Sequence, residues 1–144
     1  MYCLDASVIV NSYNKNEEFH KYSKRFIDYI KRERIAVILP EIVCPEVSSA
    51  ISRGTEESAI AIEFVREMRG ISHFTFIPVD DELSNDASKI AAEGRLRGCD
   101  VIYVAVVRKF DLKLVTLDGQ QGERASSIVK VITPQEEVEL LGLV

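Results

Sequence analysis

Four acidic residues stand where a carboxylate is costly unless it has something to hold. Asp5 follows Tyr2-Cys3-Leu4 and precedes Ala6-Ser7-Val8-Ile9-Val10, so it interrupts an apolar run. Taking such a group out of water requires a cation or hydrogen-bond donors beside it. Asp118 repeats the arrangement, closing Leu114-Val115-Thr116-Leu117 ahead of Gly119. Asp100 follows Arg97-Gly98-Cys99 and opens the apolar run Val101–Val107. Glu46 follows Pro45 in the segment Ile42-Val43-Cys44-Pro45-Glu46-Val47.

Taken singly, each acid has an ordinary structural explanation. Asp5 and Asp100 can cap the helices that follow them, Asp118 can begin an Asp-Gly turn, and Glu46 can face the dipole of a first helical turn. Glu41, the competing acid of that segment, directly follows Pro40 and reads as a solvated helix start. The four share a placement, however. Asp5 and Asp118 end apolar strands, while Glu46 and Asp100 begin helices, so all four can meet at one sheet edge. Clustered carboxylates repel and raise one another's pKa unless a cation joins them. Oxygen-only ligands select hard cations, here Mg²⁺ or Mn²⁺. A cation so held can activate water and neutralise charge on a phosphodiester. His20 and His73 are isolated and read as surface or edge residues. Cys3, Cys44 and Cys99 are odd in number and widely spaced, which fits small buried residues of a reducing compartment.

The elements that must position these acids are legible in the hydrophobic pattern. Short β-branched runs predict strands at Tyr2–Leu4, Ile35–Leu39, Phe74–Val79, Lys113–Thr116 and Val129–Ile132. Between them, Phe19, Tyr22, Phe26, Tyr29 and Ile30 recur at helical spacing, as do Leu83, Ala87, Ile90, Ala91 and Gly94. Thr55 reads as the N-cap of a segment that Gly70 ends, and Pro45 marks a helix start or kink. Thr133-Pro134-Gln135-Glu136 has the capping-box pattern with proline at the first helical position. The alternation predicts an α/β fold: a mainly parallel central sheet of about five strands flanked by helices. Without repeats or a linker-like stretch, residues 1–144 form a single domain. Functional groups of such sheets gather beyond the carboxyl ends of the strands.

A net charge of −5 argues against a broad basic nucleic-acid surface and leaves room for a small local contact with RNA. No apolar run approaches the roughly 20 residues of a membrane span. The opening MYCLDASVIV has neither the basic start nor the cleavage pattern of a signal peptide, so a cytoplasmic protein is expected.

Four segments in order carry a family resemblance: Leu4-Asp5-Ala6-Ser7-Val8-Ile9, Pro45-Glu46-Val47, Arg97-Gly98-Cys99-Asp100-Val101-Ile102-Tyr103-Val104-Ala105 and Val115-Thr116-Leu117-Asp118. With the closing Val131-Ile132-Thr133-Pro134, they resemble the PIN domains over essentially the whole chain. The resemblance implies a Mg²⁺- or Mn²⁺-dependent endoribonuclease with Asp5, Glu46, Asp100 and Asp118 as metal-coordinating and catalytic acids. Ser7 and Thr116 fall where the family often has a supporting hydroxyl. Many members are VapC-type toxins paired with an antitoxin, and many are homodimers. Two positions depart from the pattern. Gly119-Gln120-Gln121-Gly122 stands where an apolar or aromatic residue often follows the last acid, and Cys99 replaces the common alanine before the third.

For phosphate contacts, Arg53 lies two helical turns beyond Glu46, while Arg95 and Arg97 precede Asp100. Each is equally well explained as a solvated or paired side chain. The rival to a nuclease is a non-catalytic protein- or RNA-binding module of the same fold. A haloacid-dehalogenase-type phosphatase would need an acid two residues after Asp5, where Ser7 stands, and a response-regulator receiver would need an acidic pair by the first strand.

Overall fold

The computed structural model describes residues 1–143. Its sheet has five parallel strands, β1 (Tyr2–Leu4), β2 (Val37–Pro40), β3 (Phe74–Ile77), β4 (Lys113–Val115) and β5 (Lys130–Ile132), in spatial order β3-β2-β1-β4-β5. The helices are α1 (Ala6–Tyr13), α2 (His20–Glu33), α3 (Val43–Thr55), α4 (Ser58–Arg69), α5 (Asp81–Gly94), α6 (Asp100–Phe110), α7 (Gly119–Ala125) and α8 (Pro134–Leu140). The chain winds outward from β1 through β2 to β3, then returns to lay β4 on the other side of β1. The winding therefore reverses between β1 and β4, and a crevice opens beyond their carboxyl ends.

Strands covered on both faces are apolar throughout, and β1 follows that rule, with Cys3 and Leu4 fully buried. Helix α6 lies against β1, β2 and β4 and buries Val101 and Tyr103–Val107, as its all-round apolar sequence requires. Helix α5 packs on α6 through Leu83, Ala87 and Ile90. At the amino ends of β1 and β4, Tyr2 Oη donates to Glu137 Oε1, and Lys113 Nζ donates to both Glu137 oxygens at 2.9 and 3.0 Å. This buried carboxylate pins α8 to the pole opposite the crevice. No helix among the described residues is long and apolar enough to cross a membrane.

The observed elements shift some expected boundaries for local reasons. Ile35 remains tied to the end of α2 through its N–H to Ile30 O, so β2 begins two residues later, at Val37. β3 stops at Ile77, before Pro78, which has no N–H to donate. Thr55 closes α3, its hydroxyl donating to Ile51 O at 2.8 Å, and the N-cap of α4 is Glu57. Phe19 is not part of the buried α2 stripe: it precedes the helix in a left-handed conformation and is exposed. The capping box of α8 forms as expected, with Pro134 at the first position.

Candidate metal centre

The parallel pairing of β1 with β4 brings two of the acids together. Leu4 is in register with Val115, and the Asp5 N–H continues the ladder to Val115 O at 2.9 Å. Asp5 caps α1, its Oδ2 accepting the Ser7 N–H at 2.9 Å, while its Oδ1 accepts from Gln121 Nε2 at 3.3 Å. Asp118 caps α7, with Oδ1 accepting the N–H groups of Gln120 and Gln121 at 3.0 and 3.1 Å. It is thus a helix cap and not only a turn residue. Ser7 Oγ accepts the Leu117 N–H at 3.2 Å, and Thr116 Oγ1 accepts the Asp118 N–H at 3.0 Å. These two hydroxyls tie α1 and the end of β4 into one frame.

Glu46 and Asp100 arrive on helices. Helix α3 begins at Val43, so Pro45 and Glu46 lie in its first turn, where proline's missing N–H costs no ladder bond. Tyr103, one turn beyond Asp100 on α6, reaches Glu46 Oε1 with its hydroxyl at 3.3 Å. Asp100 is the first residue of α6, and the N-cap position belongs to Cys99, which makes no side-chain cap bond. The Asp100 carboxylate is therefore not occupied as the cap that its sequence position suggested. Gly98, with φ +53°, makes the turn that delivers it.

The acids act on one another's charge. Burial, then the negative charge of Asp5 and of Asp100, pushes the Glu46 carboxyl up to about 7, against the opposing hydrogen bond from Tyr103. Asp100 is raised by burial and by Asp118 and Asp5, with Arg124 and Arg97 pulling the other way. The Cys99 thiol is raised by burial, Glu46 and Asp100. The Tyr103 hydroxyl is raised by burial and by the acids around it, Glu46 foremost. The four acids are thus linked pairwise by charge, through Glu46 and Asp100. In spacing, no three Asp, Glu, His or Cys side chains among the described residues converge closely enough, as they stand, to hold a metal ion. In donor type and charge the set fits a hard divalent cation, which would relieve the repulsion and draw the carboxylates inward.

Asp5, Ser7, Glu46 and Arg53 line one cleft of about 710 Å³, which also takes in Cys99 and Leu117, the neighbours of the other two acids. Asp118 itself opens onto an adjoining groove with Thr116 and Thr133. A second cavity of about 420 Å³, lined by Tyr13, Ile27, Phe64 and Met68, contains none of the acids. The charge pattern, not the enclosure, marks the acidic cleft as the chemical one.

Of the expected basic residues, Arg53 borders the cleft and bonds Ser49, and Arg97 is exposed within electrostatic reach of Asp100. Arg95 is exposed at the left-handed end of α5 and is not among the cleft-lining residues. Glu41 pairs with Arg69 and so is not simply solvated. Cys3 and Cys44 are buried as expected, but Cys99 is exposed at the head of α6. Three contributors escaped the sequence reading: Tyr103, hidden in an apolar helix; Arg124, on a short helix without periodicity; and Gln121. The spacing Asp118-Gly119-Gln120-Gln121 imitates a capping box and was the one signal for Gln121.

Fold and acids together define a doubly wound α/β domain with an acidic site at its topological switch point. The PIN domain family model matches residues 2–126, and the chain belongs to that family. No curated protein matches the sequence significantly. Among solved structures, FitAcB from Neisseria gonorrhoeae superposes with a TM-score of 0.71 at 17% identity, covering 94% of this chain and 99% of that one. VapC20 of Mycobacterium tuberculosis, a Sarcin-Ricin loop cleaving toxin, gives 0.69 at 19% identity over 85% and 94%. The VapBC2 complex of Rickettsia felis, bound to a promoter DNA fragment, gives 0.68 at 12% over 92% and 97%. At these identities the likeness is one of fold.

Proposed function

We propose that this chain is a Mg²⁺- or Mn²⁺-dependent endoribonuclease that hydrolyses phosphodiester bonds in single-stranded or loop RNA. The observation that carries the reading is the mutual effect of the acids beside the β1–β4 crevice, where Asp5 and Asp100 raise the Glu46 carboxyl and Asp118 and Asp5 raise Asp100. Asp5, Asp100 and Asp118 would be the main ligands, with Glu46 completing the set. The bound cation would activate water for in-line attack and offset charge on the phosphodiester. Glu46 orients or deprotonates the attacking water, its Oε1 steadied by Tyr103. Ser7 and Thr116 hold the frame, while Arg53 and Arg97 contact phosphates; Arg95, unlike Arg97, is not among the charges acting on Asp100. Membership of a nuclease family supports this assignment, and the likeness to VapC20 and to the VapBC2 complex favours the toxin role with a protein antitoxin as partner; homodimerisation and a cytoplasmic site of action belong to the same proposal.

Asp5→Asn keeps the acceptor for the Ser7 N–H, removes the charge and sets an amide donor against Gln121 Nε2. It should nearly abolish Mn²⁺-dependent cleavage of a single-stranded RNA while the protein stays folded without metal. Undiminished cleavage refutes the assignment. The second reading, a non-catalytic binding module, draws on the acids' failure to converge to ligand spacing as they stand. It predicts neither cleavage nor a Mn²⁺-induced rise in melting temperature.

A further inference from the structure

Gln121 is almost completely buried, yet its α7 neighbours Gln120 and Glu123 are exposed. A buried carboxamide is costly unless its donors and acceptor are matched. Gln121 finds its partners in a relay that joins the fourth acid to the first. The Asp118 N–H donates to Thr116 Oγ1 at 3.0 Å, the Thr116 hydroxyl donates to Gln121 Oε1 at 2.7 Å, and Gln121 Nε2 donates to Asp5 Oδ1 at 3.3 Å. The Gln121 backbone N–H closes the circuit on Asp118 Oδ1 at 3.1 Å.

The relay has only one direction. Thr116 Oγ1 accepts from the Asp118 N–H, so its single proton goes to Gln121 Oε1. Turning the amide over would set Oε1 against an Asp5 carboxylate oxygen, acceptor against acceptor. Asp5 is consequently gripped from both sides, Oδ2 by the Ser7 N–H and Oδ1 by Gln121, with one lone-pair direction of each oxygen left free. An apolar side chain in this place would fill the same space and grip nothing.

We propose that Gln121 is a positioning residue of the acidic site, fixing the Asp5 carboxylate in the orientation that receives a divalent cation. The inference rests on the metal-site reading above. Partners of this kind, behind the ligands, typically govern metal affinity by roughly 10–100-fold.

The test is calorimetric titration of the full-length protein with MnCl₂, alongside metal-free thermal melting. Gln121→Met, close in volume but unable to donate, should weaken Mn²⁺ binding by about ten-fold or more, with a metal-free transition lowered only as far as the orphaned Thr116 hydroxyl requires. Thr116→Val removes the proton that orients the amide, together with the acceptor of the Asp118 N–H, and should weaken binding in the same direction; Gln121→Leu carries the test if Gln121→Met does not fold. Because part of the Thr116 effect runs through Gln121, the two losses of Mn²⁺ affinity should combine to less than their sum in the double variant. A parent protein that binds Mn²⁺, with variants that bind it equally well, overturns the role of Gln121 and leaves the site standing. A lowered melting temperature with unchanged Mn²⁺ affinity assigns Gln121 to packing and also overturns it. A parent protein without Mn²⁺ binding overturns the site and this inference together.

Discussion

Glu46→Gln separates the electrostatic cost of the acidic site from its packing. The carboxamide oxygen can still accept from the Tyr103 hydroxyl, so the change removes a charge and little else. In the native protein the Glu46 carboxyl lies at about 7, against 4.5 for the free group. The native state thus binds this proton more tightly than the unfolded chain, and stability is lost as pH rises from about 4.5 to about 7. At about 1.4 kcal/mol per pH unit the full shift is worth roughly 3 kcal/mol, and partial exposure reduces this to roughly 1–2 kcal/mol. At pH 8 in EDTA the variant should therefore melt roughly 3–8 °C above the parent. Near pH 4.5 the difference should vanish. Excess Mn²⁺ should reverse the order at pH 8, because only the parent retains the full charge set. Melting curves at the two pH values, with and without metal, make the comparison. A variant no more stable than the parent at pH 8 in EDTA would refute the claim that these carboxylates repel within one site.

Other consequences are equally direct. Lys113→Met leaves Glu137 buried with only the Tyr2 hydroxyl, which should cost about 2–3 kcal/mol in urea unfolding at pH 7. Adding Glu137→Leu should recover most of that loss, since an apolar pair removes the orphaned charge. Thr133→Ala deletes the capping box of α8 and should cost about 1 kcal/mol by the same measurement, without altering Mn²⁺ affinity. Arg53→Ala and Arg97→Ala should raise the KM for RNA more than they lower kcat and flatten its salt dependence, whereas Arg95→Ala should do neither.

How far the sequence anticipated the molecule depended on how local each cause was. Alternation of β-branched runs with helical stripes located all five strands, because burial on both faces leaves a direct compositional trace. Strand order left none: that β4 returns beside β1 is decided by packing between segments far apart in the chain. The capping explanations divided in an instructive way. Asp5 and Asp118 do cap helices, as any isolated acid there would, but Asp100 does not, since Cys99 takes that position. Cys99 reads as a small buried residue in the sequence but is exposed, directly after the left-handed turn at Gly98. Tyr103 and Gln121 were illegible for a different reason. Each looks ordinary in its own helix and acquires meaning only through Glu46, Thr116 and Asp5, which other elements supply.

The central place of β1 also governs when the site can exist during synthesis. Tyr2–Leu4 leaves the ribosome more than a hundred residues ahead of Lys113–Val115, its partner on one side. Until β4 has emerged, β1 has an unpaired edge, and the frame that fixes Asp5 lacks Thr116, Leu117 and Gln121. A nascent chain stalled within α6 would carry three of the four acids without the fourth or the relay that orders the first. Under the ribonuclease reading, such a chain cannot cut the RNA around it until β4 and α7 have followed.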